Sequence, residues 1–567
     1  MDANMIKELF AGDGLKTLQI LIAMIVYMGA VVAIGLVFAK KANKSSENYF
    51  LGGRSLGPWV TAMSAEASDM SGWLLMGLPG VAYWCGLADA SWTAIGLAVG
   101  TYLNWLIVSK RLRRYSIRAN NAITLPEFFS NRFREDKKVI VSIAALFILV
   151  FFTVYASSCF VTCGKLFSTL FDMPYIPMML IGAVFVLVYT ILGGFLAESA
   201  SDFMQGIVMF VALTVVVVIG IVKSGGLAEV FENVKEIPGF LEFFNIANPA
   251  VDADGVQQVV NGVPQFGEKS EYGVLKICSM LAWGLGYFGM PQVLLRFMAI
   301  RKEKELKTSR RIAMVWVVIS LAVAVFIGVV GRGLFPTAHL TSGGAENIFI
   351  TLTTSFLSSG FLPILAGFIM AGILAATISS SDSYLLIAAS AFAKNIYQGI
   401  FKKGATDKQV MRMSRITLLV IAVVAALIAL DEDSVIFGIV SFAWAGFGAT
   451  FGPLMLFSLF WKRVNRAGAI AGMVSGAGMV FLWKLVINPF GAKLAQVASV
   501  ATETAGGETL EFAQKLITLG NSLTIYELLP AFIFSSICIV VVSLITAPPS
   551  KEILEDFEAV KSGKVED

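Results

Sequence analysis

The 567-residue chain has one histidine, five cysteines and only 14% charged residues, and each scarcity closes off a class of chemistry. A lone histidine, His339, cannot supply the paired imidazoles of a zinc hydrolase. The cysteines (Cys85, Cys159, Cys163, Cys278, Cys538) form no C-x-x-C pair and lie within or at the edges of apolar runs, so they read as packing residues and not as a disulfide framework or zinc site. A phosphate-cradling loop is also lacking. The nearest approach, "CGKLF" (163–167), has no Ser or Thr after its lysine and sits inside an apolar run, which argues against an ATP-driven pump.

What the chain has in abundance is hydrocarbon: 57% hydrophobic residues, a mean hydropathy of +0.78, and apolar runs near 20 residues from end to end. Such a run, at 1.5 Å per residue, spans a bilayer core of about 30 Å, and these runs are too long for barrel strands. The expected fold is an all-α polytopic membrane protein of about thirteen spans, at 16–39, 58–84, 90–109, 138–170, 174–197, 202–223, 273–299, 311–335, 361–392, 415–430, 434–461, 466–487 and 525–546. The N-terminal "MDANMIKELFAGDG" is mixed in charge and does not read as a cleaved signal peptide.

The basic residues set orientation. Lys40, Lys41, Lys44 and Arg54 follow span 1; Lys110, Arg111, Arg113 and Arg114 follow span 3; Arg301 to Arg311 follow span 7; Lys402, Lys403 and Lys408 follow span 9; Lys462, Arg463 and Arg466 follow span 11. The even exits are nearly free of Lys and Arg, so the N-terminus is expected outside and the C-terminus in the cytoplasm, with the polar stretches 224–272 and 488–524 outside. These basic runs read as topology signals, and no nucleic-acid partner is expected; the net charge of +4 adds little.

An odd span count permits an inverted repeat. Residues 58–223 would form one five-helix unit and about 273–461 a second, with 1–57 before them, a further span to 487, a last span at 525–546 and a cytoplasmic tail at 547–567. Transporters of that architecture place a midplane site on the discontinuous first helix of each repeat. Both first spans here are interrupted. Span 2 contains "SAEASDMSG" and span 7 contains "WGLGYFGMPQ", with three glycines and Pro291. Asp69, mid-span, is costly in hydrocarbon, by roughly 2.5–3.5 kcal/mol, and marks a functional site unless it merely caps the second half-helix through the amides of Ser71 or Gly72. In span 9, "ILAATISSSDSYLL" sets the hydroxyls of Ser379 and Ser380 one turn from the Ala376 carbonyl, oxygen ligands of the kind a hard cation takes unless they bond back within their own helix.

The stretches "LGGRSLGPW" (51–59), "ASDMSGWLLMGLPG" (67–80), "WGLGYFGMPQ" (283–292), "RRIAMVW" (310–316), "ILAATISS" (373–380) and "SFAWAGFGATFGP" (441–453) resemble the sodium:solute symporter family, and within it the bacterial sodium/proline symporters. The resemblance implies a LeuT-type five-plus-five inverted repeat in a bacterial plasma membrane and uptake of L-proline, or of another small amino acid or organic solute, driven by Na+. It implies sodium ligands at the carbonyls of Ala67, Met70 and Ala376 and the hydroxyls of Ser379 and Ser380, with Asp69 and Asp202 sodium-related. Around the substrate it implies Trp73, Gly77, Tyr155, Trp283, Tyr287 and Pro291. Aromatic faces suit both a pyrrolidine ring and its ammonium. Glu66 and Met290 depart from the family pattern, and Ser380 keeps a hydroxyl where many proline symporters carry threonine. Neither an enzyme nor a resident cofactor is implied; a channel or passive carrier is the rival class, weighed against by the paired broken helices.

Overall fold

The computed structural model describes residues 13–42, 45–502 and 508–563. Most of the N-terminal stretch read above, and Lys44, lie outside the described residues. Helices dominate: α1 (Asp13–Ala42), α2 (Pro58–Asp69), α3 (Trp73–Cys85), α4 (Leu87–Arg118), α5 (Val139–Phe171), α6 (Tyr175–Ile191), α7 (Gly194–Lys223), α8 (Val274–Phe288), α9 (Pro291–Ala299), α10 (Glu303–Leu334), α11 (Leu362–Phe401), α12 (Asp407–Ile428), α13 (Ile436–Phe460), α14 (Arg466–Thr502), α15 (Leu528–Ile545) and α16 (Lys551–Ser562). Among the described residues, ten helices are long and apolar enough to cross a membrane, or eleven if the pair α8 and α9, bent by 42°, is one span. The two other expected spans fall short for identifiable reasons. Residues 58–84 are divided into α2 and α3, and α6 stops before Gly194, whose φ of 63° turns the chain from α6 into α7.

Burial ranks the helices. In α11 and α13, 78% of the apolar window is buried, against 28% in α1 and α14, so the first two form the centre and the others the lipid-facing flank. The breaks have local causes. α2 ends where Met70 leaves helical geometry (φ −88°, ψ 80°), and in α3 Pro79 lacks the N–H of a normal turn, which widens Trp73–Gly77 into a π-turn. Near the end of α8, Gly284 lies against the backbone of Gly96 and Gly100, where an added Cβ would stand 2.2 Å from the Gly96 carbonyl oxygen. Gly289 is pressed as closely on Phe447. The glycines of this span therefore serve close helix packing as well as the break.

The described residues of the two long polar stretches carry secondary structure. Residues 224–272 carry a short helix, Leu227–Glu232, and two antiparallel two-residue strand pairs, tied to the bundle by Leu87 N–H on Phe240 O at 2.8 Å. Residues 488–502 continue α14 and Glu508–Leu523 form a returning helix, the two meeting where Gly491 and Gly520 allow backbone contact. At the opposite end the basic loops do more than signal topology. Arg54 donates to Met298 O at 2.6 Å and Ala122 O at 2.8 Å, and Arg113 to Ile300 O at 2.9 Å. Arg118 and Arg134 hold α16 through Asp556 and Glu552.

Candidate functional site at the two broken helices

The breaks in α2–α3 and α8–α9 meet α11 in the buried centre. The Ala67 carbonyl, in the last turn of α2, accepts from the Ser379 hydroxyl at 2.7 Å and the Ser380 hydroxyl at 3.4 Å. Ser379 also lies 3.2 Å from the Ala376 carbonyl. Four of the five oxygen donors expected from the sequence are thus together, all fully buried. Met70 is buried at the break itself, with no hydrogen bond to that group among the described residues. Ser379 does bond back to Ala376, as the self-helix reading of these serines allows, but its shorter contact is to the other helix.

Asp69 does something the sequence left open. Its carboxylate does not take the amides of Ser71 or Gly72; it accepts from the Tyr287 hydroxyl at 2.8 Å and the Gln292 amide at 3.3 Å, on either side of the second break. The Asp69 carbonyl meanwhile faces the Trp73 indole N–H at 3.2 Å and the Tyr155 hydroxyl at 3.3 Å. One residue therefore ties the first broken helix to the second and to α5. Tyr155 stacks on Tyr384 of α11 with centroids 4.1 Å apart.

The other expected substrate residues line a second aromatic group. Trp283 stacks on Tyr526 at 4.9 Å and packs on Phe437 at 5.0 Å, while Trp444 donates to the Trp283 carbonyl and meets Tyr287 edge-on at 5.0 Å. Gly77 lies between Phe437 and Trp73, where an added Cβ would stand 3.4 Å from each, in ordinary contact. Pro291 is the first residue of α9, where its missing N–H costs nothing, and buried Met290 precedes it in extended geometry. Glu66 accepts from the Trp105 indole at 3.0 Å and, among the described residues, makes no hydrogen bond to the serines.

Asp202 sits apart, in a buried polar cluster. Ser64 donates to it at 2.6 Å and Arg296 reaches it at 3.2 Å. Arg296 also pairs with Glu198, donates to Ser64 and Ser383 at 2.9 Å each, and to the Gln292 carbonyl at 3.2 Å. Asp382 folds onto the Ser383 amide at 2.8 Å. A second buried ion pair, Lys165 with Glu346 at 2.8 Å, accounts for the Gly-Lys of "CGKLF"; Glu346 also accepts from the amides of Ile436 and Phe437 at the start of α13. Sequence reasoning passed over Gln292, Tyr384, Glu198 and Arg296. The signal for the last two was present: an ionisable residue inside an apolar run demands a partner.

The family model for the sodium:solute symporter family matches residues 49–476, about three-quarters of the chain. This chain belongs to that family. It is a membrane transporter, not an enzyme. The osmoregulated proline transporter OpuE of Bacillus subtilis is 38% identical over 536 residues, covering 94% of this chain and 96% of that one. The sodium/proline symporter of Escherichia coli is 38% identical over 541 residues, covering 95% of each. Among solved structures, a substrate-bound, outward-open Na+-coupled sialic acid symporter superposes with a TM-score of 0.66 at 18% identity, over 94% of this chain and 99% of that one. Mhp1, a nucleobase-cation-symport-1 family transporter, in a closed conformation, gives 0.50 at 13% identity, over 90% of this chain and 98% of its own. At such identities these two speak for the fold alone.

Proposed function

We propose that this chain takes up L-proline across a bacterial plasma membrane by symport with Na+. Full-length relatives named proline transporters, at 38% identity, support the substrate. The observation that carries the coupling is the meeting of the Ala67 and Ala376 carbonyls with the Ser379 and Ser380 hydroxyls at a helix break. Na+ is a hard cation that prefers such oxygens, and a hydroxyl proton that now points at Ala67 is free to turn outward when an ion takes its place. Met70 completes the set through the carbonyl its non-helical geometry releases from the ladder.

Trp73, Gly77, Tyr155, Trp283, Tyr287 and Pro291 hold the substrate. The aromatic faces take the pyrrolidine ring and ammonium, and the first amides of α9, just after Pro291, receive the carboxylate at the positive end of a helix dipole. Asp69 links ion to substrate: its backbone stands two residues from Ala67 and its carboxylate is held by Tyr287. Asp202 acts on the inner side, attracting the ion on its way out once Arg296 releases it. The finer architecture in this reading is thirteen spans, with 58–223 and 273–461 as inverted repeats, N-terminus outside and C-terminus inside. The deciding experiment is uptake of radiolabelled proline into proteoliposomes with and without an inward Na+ gradient; uptake indifferent to the gradient defeats the proposal.

A further inference from the structure

The basic stretch 301–311, which runs from the loop into the first turns of α10, engages two of its three arginines within the protein. Arg301 is held by Glu305, Glu303 holds Arg114, and Arg310 lies over the Tyr102 ring at 5.5 Å. Arg311 differs: it is exposed, with no partner among the described residues. It stands at a membrane-facing groove of about 420 Å³ between α2, α7 and α10, whose other walls are apolar, among them Met63, Phe210, Ile312 and Val315. Trp59 also lines it, 59% exposed, at the start of α2. The acids nearest in sequence, Glu303 and Glu305, are engaged elsewhere.

A guanidinium beside hydrocarbon keeps its charge and needs an anion in reach. The groove offers acyl-chain contact below and a cation and an indole above, the pairing found at the headgroup level of a bilayer. A zwitterionic lipid brings its own ammonium to compete for the phosphate, whereas an anionic lipid does not. We propose that the groove is a binding site for an anionic phospholipid, with an acyl chain along Met63, Phe210, Ile312 and Val315, the phosphate on Arg311 and the Trp59 ring beside the glycerol. The placement at the cytoplasmic interface rests on the orientation proposed above, but binding itself does not depend on the transport reading. The site has a functional address: Trp59 and Met63 belong to α2, the half-helix that ends at Asp69, and the Trp316 indole on α10 bonds the Gly206 carbonyl of α7 at 3.1 Å across the groove floor.

The test uses the full chain in phosphatidylcholine nanodiscs titrated with phosphatidylglycerol or phosphatidylcholine brominated on the acyl chain. The Trp59 signal is the quenching lost in Trp59→Phe. The expected result is association of the brominated anionic lipid about fivefold tighter than the zwitterionic one, the effect of a single basic side chain at an anionic surface. Arg311→Gln should abolish that preference and Arg311→Lys should keep it. Equal quenching by the two lipids in the unaltered chain overturns the proposal, and so does a preference undiminished in a folded Arg311→Gln protein. If Arg311→Gln fails to fold, the comparison in the unaltered chain decides alone. Because the readout is lipid binding, failure of sodium-driven uptake leaves this result standing, and the reverse.

Discussion

At the scale of single residues the two serines of α11 are not equivalent, because Ser379 approaches the Ala67 carbonyl at 2.7 Å and Ser380 at 3.4 Å. In the proposed site both hydroxyls face Na+, and a polar contact to a charged group is worth about 1.5–3 kcal/mol by analogy with charged hydrogen bonds. Ser379→Ala is therefore expected to raise the Na+ concentration for half-maximal proline uptake by about tenfold or more, Ser380→Ala by less, and Ser379→Thr to restore it; the check is a Na+ titration at saturating proline. In the proposed scheme Tyr287 touches both ligands, as a substrate residue that also holds the Asp69 carboxylate. Tyr287→Phe removes the 2.8 Å donor from a buried Asp69 oxygen, so it should weaken Na+ and proline together, whereas Trp283→Ala, which leaves Asp69 untouched, should chiefly weaken proline. Equal effects of both variants on both ligands would dissolve the distinction. Outside the membrane, burial lowers His339 to about pH 4, while its ring nitrogen bonds the Thr351 hydroxyl at 2.8 Å. The folded pKa lies below the unfolded value near 6.5, so the unfolded chain binds the extra proton first and stability falls as pH drops from about 6.5 to 4. His339→Gln should flatten that part of the thermal-stability profile against pH.

At the scale of elements, α9 is the joint. Its first turns hold Asp69 through Gln292, and Arg296 one turn on joins Ser64 of α2, Glu198 and Asp202 of α7 and Ser383 of α11. Removing one member of a buried ion network strands the rest, typically at 3–5 kcal/mol. Arg296→Met is expected to lower the thermal midpoint sharply, and adding Glu198→Gln with Asp202→Asn to recover much of it; no recovery would mean that the arginine matters through packing. Much of this scaffold was legible beforehand. The Gly-rich and polar interruptions located both breaks because broken hydrogen-bond ladders need residues with low helix propensity, and the serines of α11 stood out as hydroxyls in hydrocarbon. The partners of Asp69 did not, since a carboxylate's choice between a nearby amide and a distant tyrosine depends on tertiary packing that local pattern does not encode. The same holds for span length: α6 and the halves of the first broken span are too short to pass on apolar length, and only their succession in the bundle makes sense of them. The basic loops were read as topology alone, although Arg54 and Arg113 also close backbone carbonyls at the end of α9 and in neighbouring loops.

At the scale of the whole molecule, the proposed symport through a buried centre, with the oxygens of Ala67, Ala376, Ser379 and Ser380 beside an aromatic group, has an electrical consequence. Proline is a zwitterion, so a cycle that carries it with one Na+ moves one net positive charge inward. A membrane potential acts on that charge by about 2.3 kcal/mol per 100 mV, roughly fiftyfold in accumulation at equilibrium. Proteoliposomes with equal Na+ on both sides and a valinomycin-imposed, inside-negative potential should therefore concentrate proline, and reversing the potential should stop it. The size of the effect reads the stoichiometry, because a second co-transported Na+ would double the energy per 100 mV and square the accumulation ratio. The buried cluster of Glu198, Asp202, Asp382 and Arg296 has more carboxylates than guanidinium groups. If those acids travelled with a proton or second cation, the measured charge per proline would exceed one; a value of one assigns them to the scaffold and to ion exit. Accumulation that follows the Na+ gradient yet ignores the potential would require a compensating charge to return in each cycle, and the single-ion scheme built on Ala67, Ala376, Ser379 and Ser380 would then be wrong.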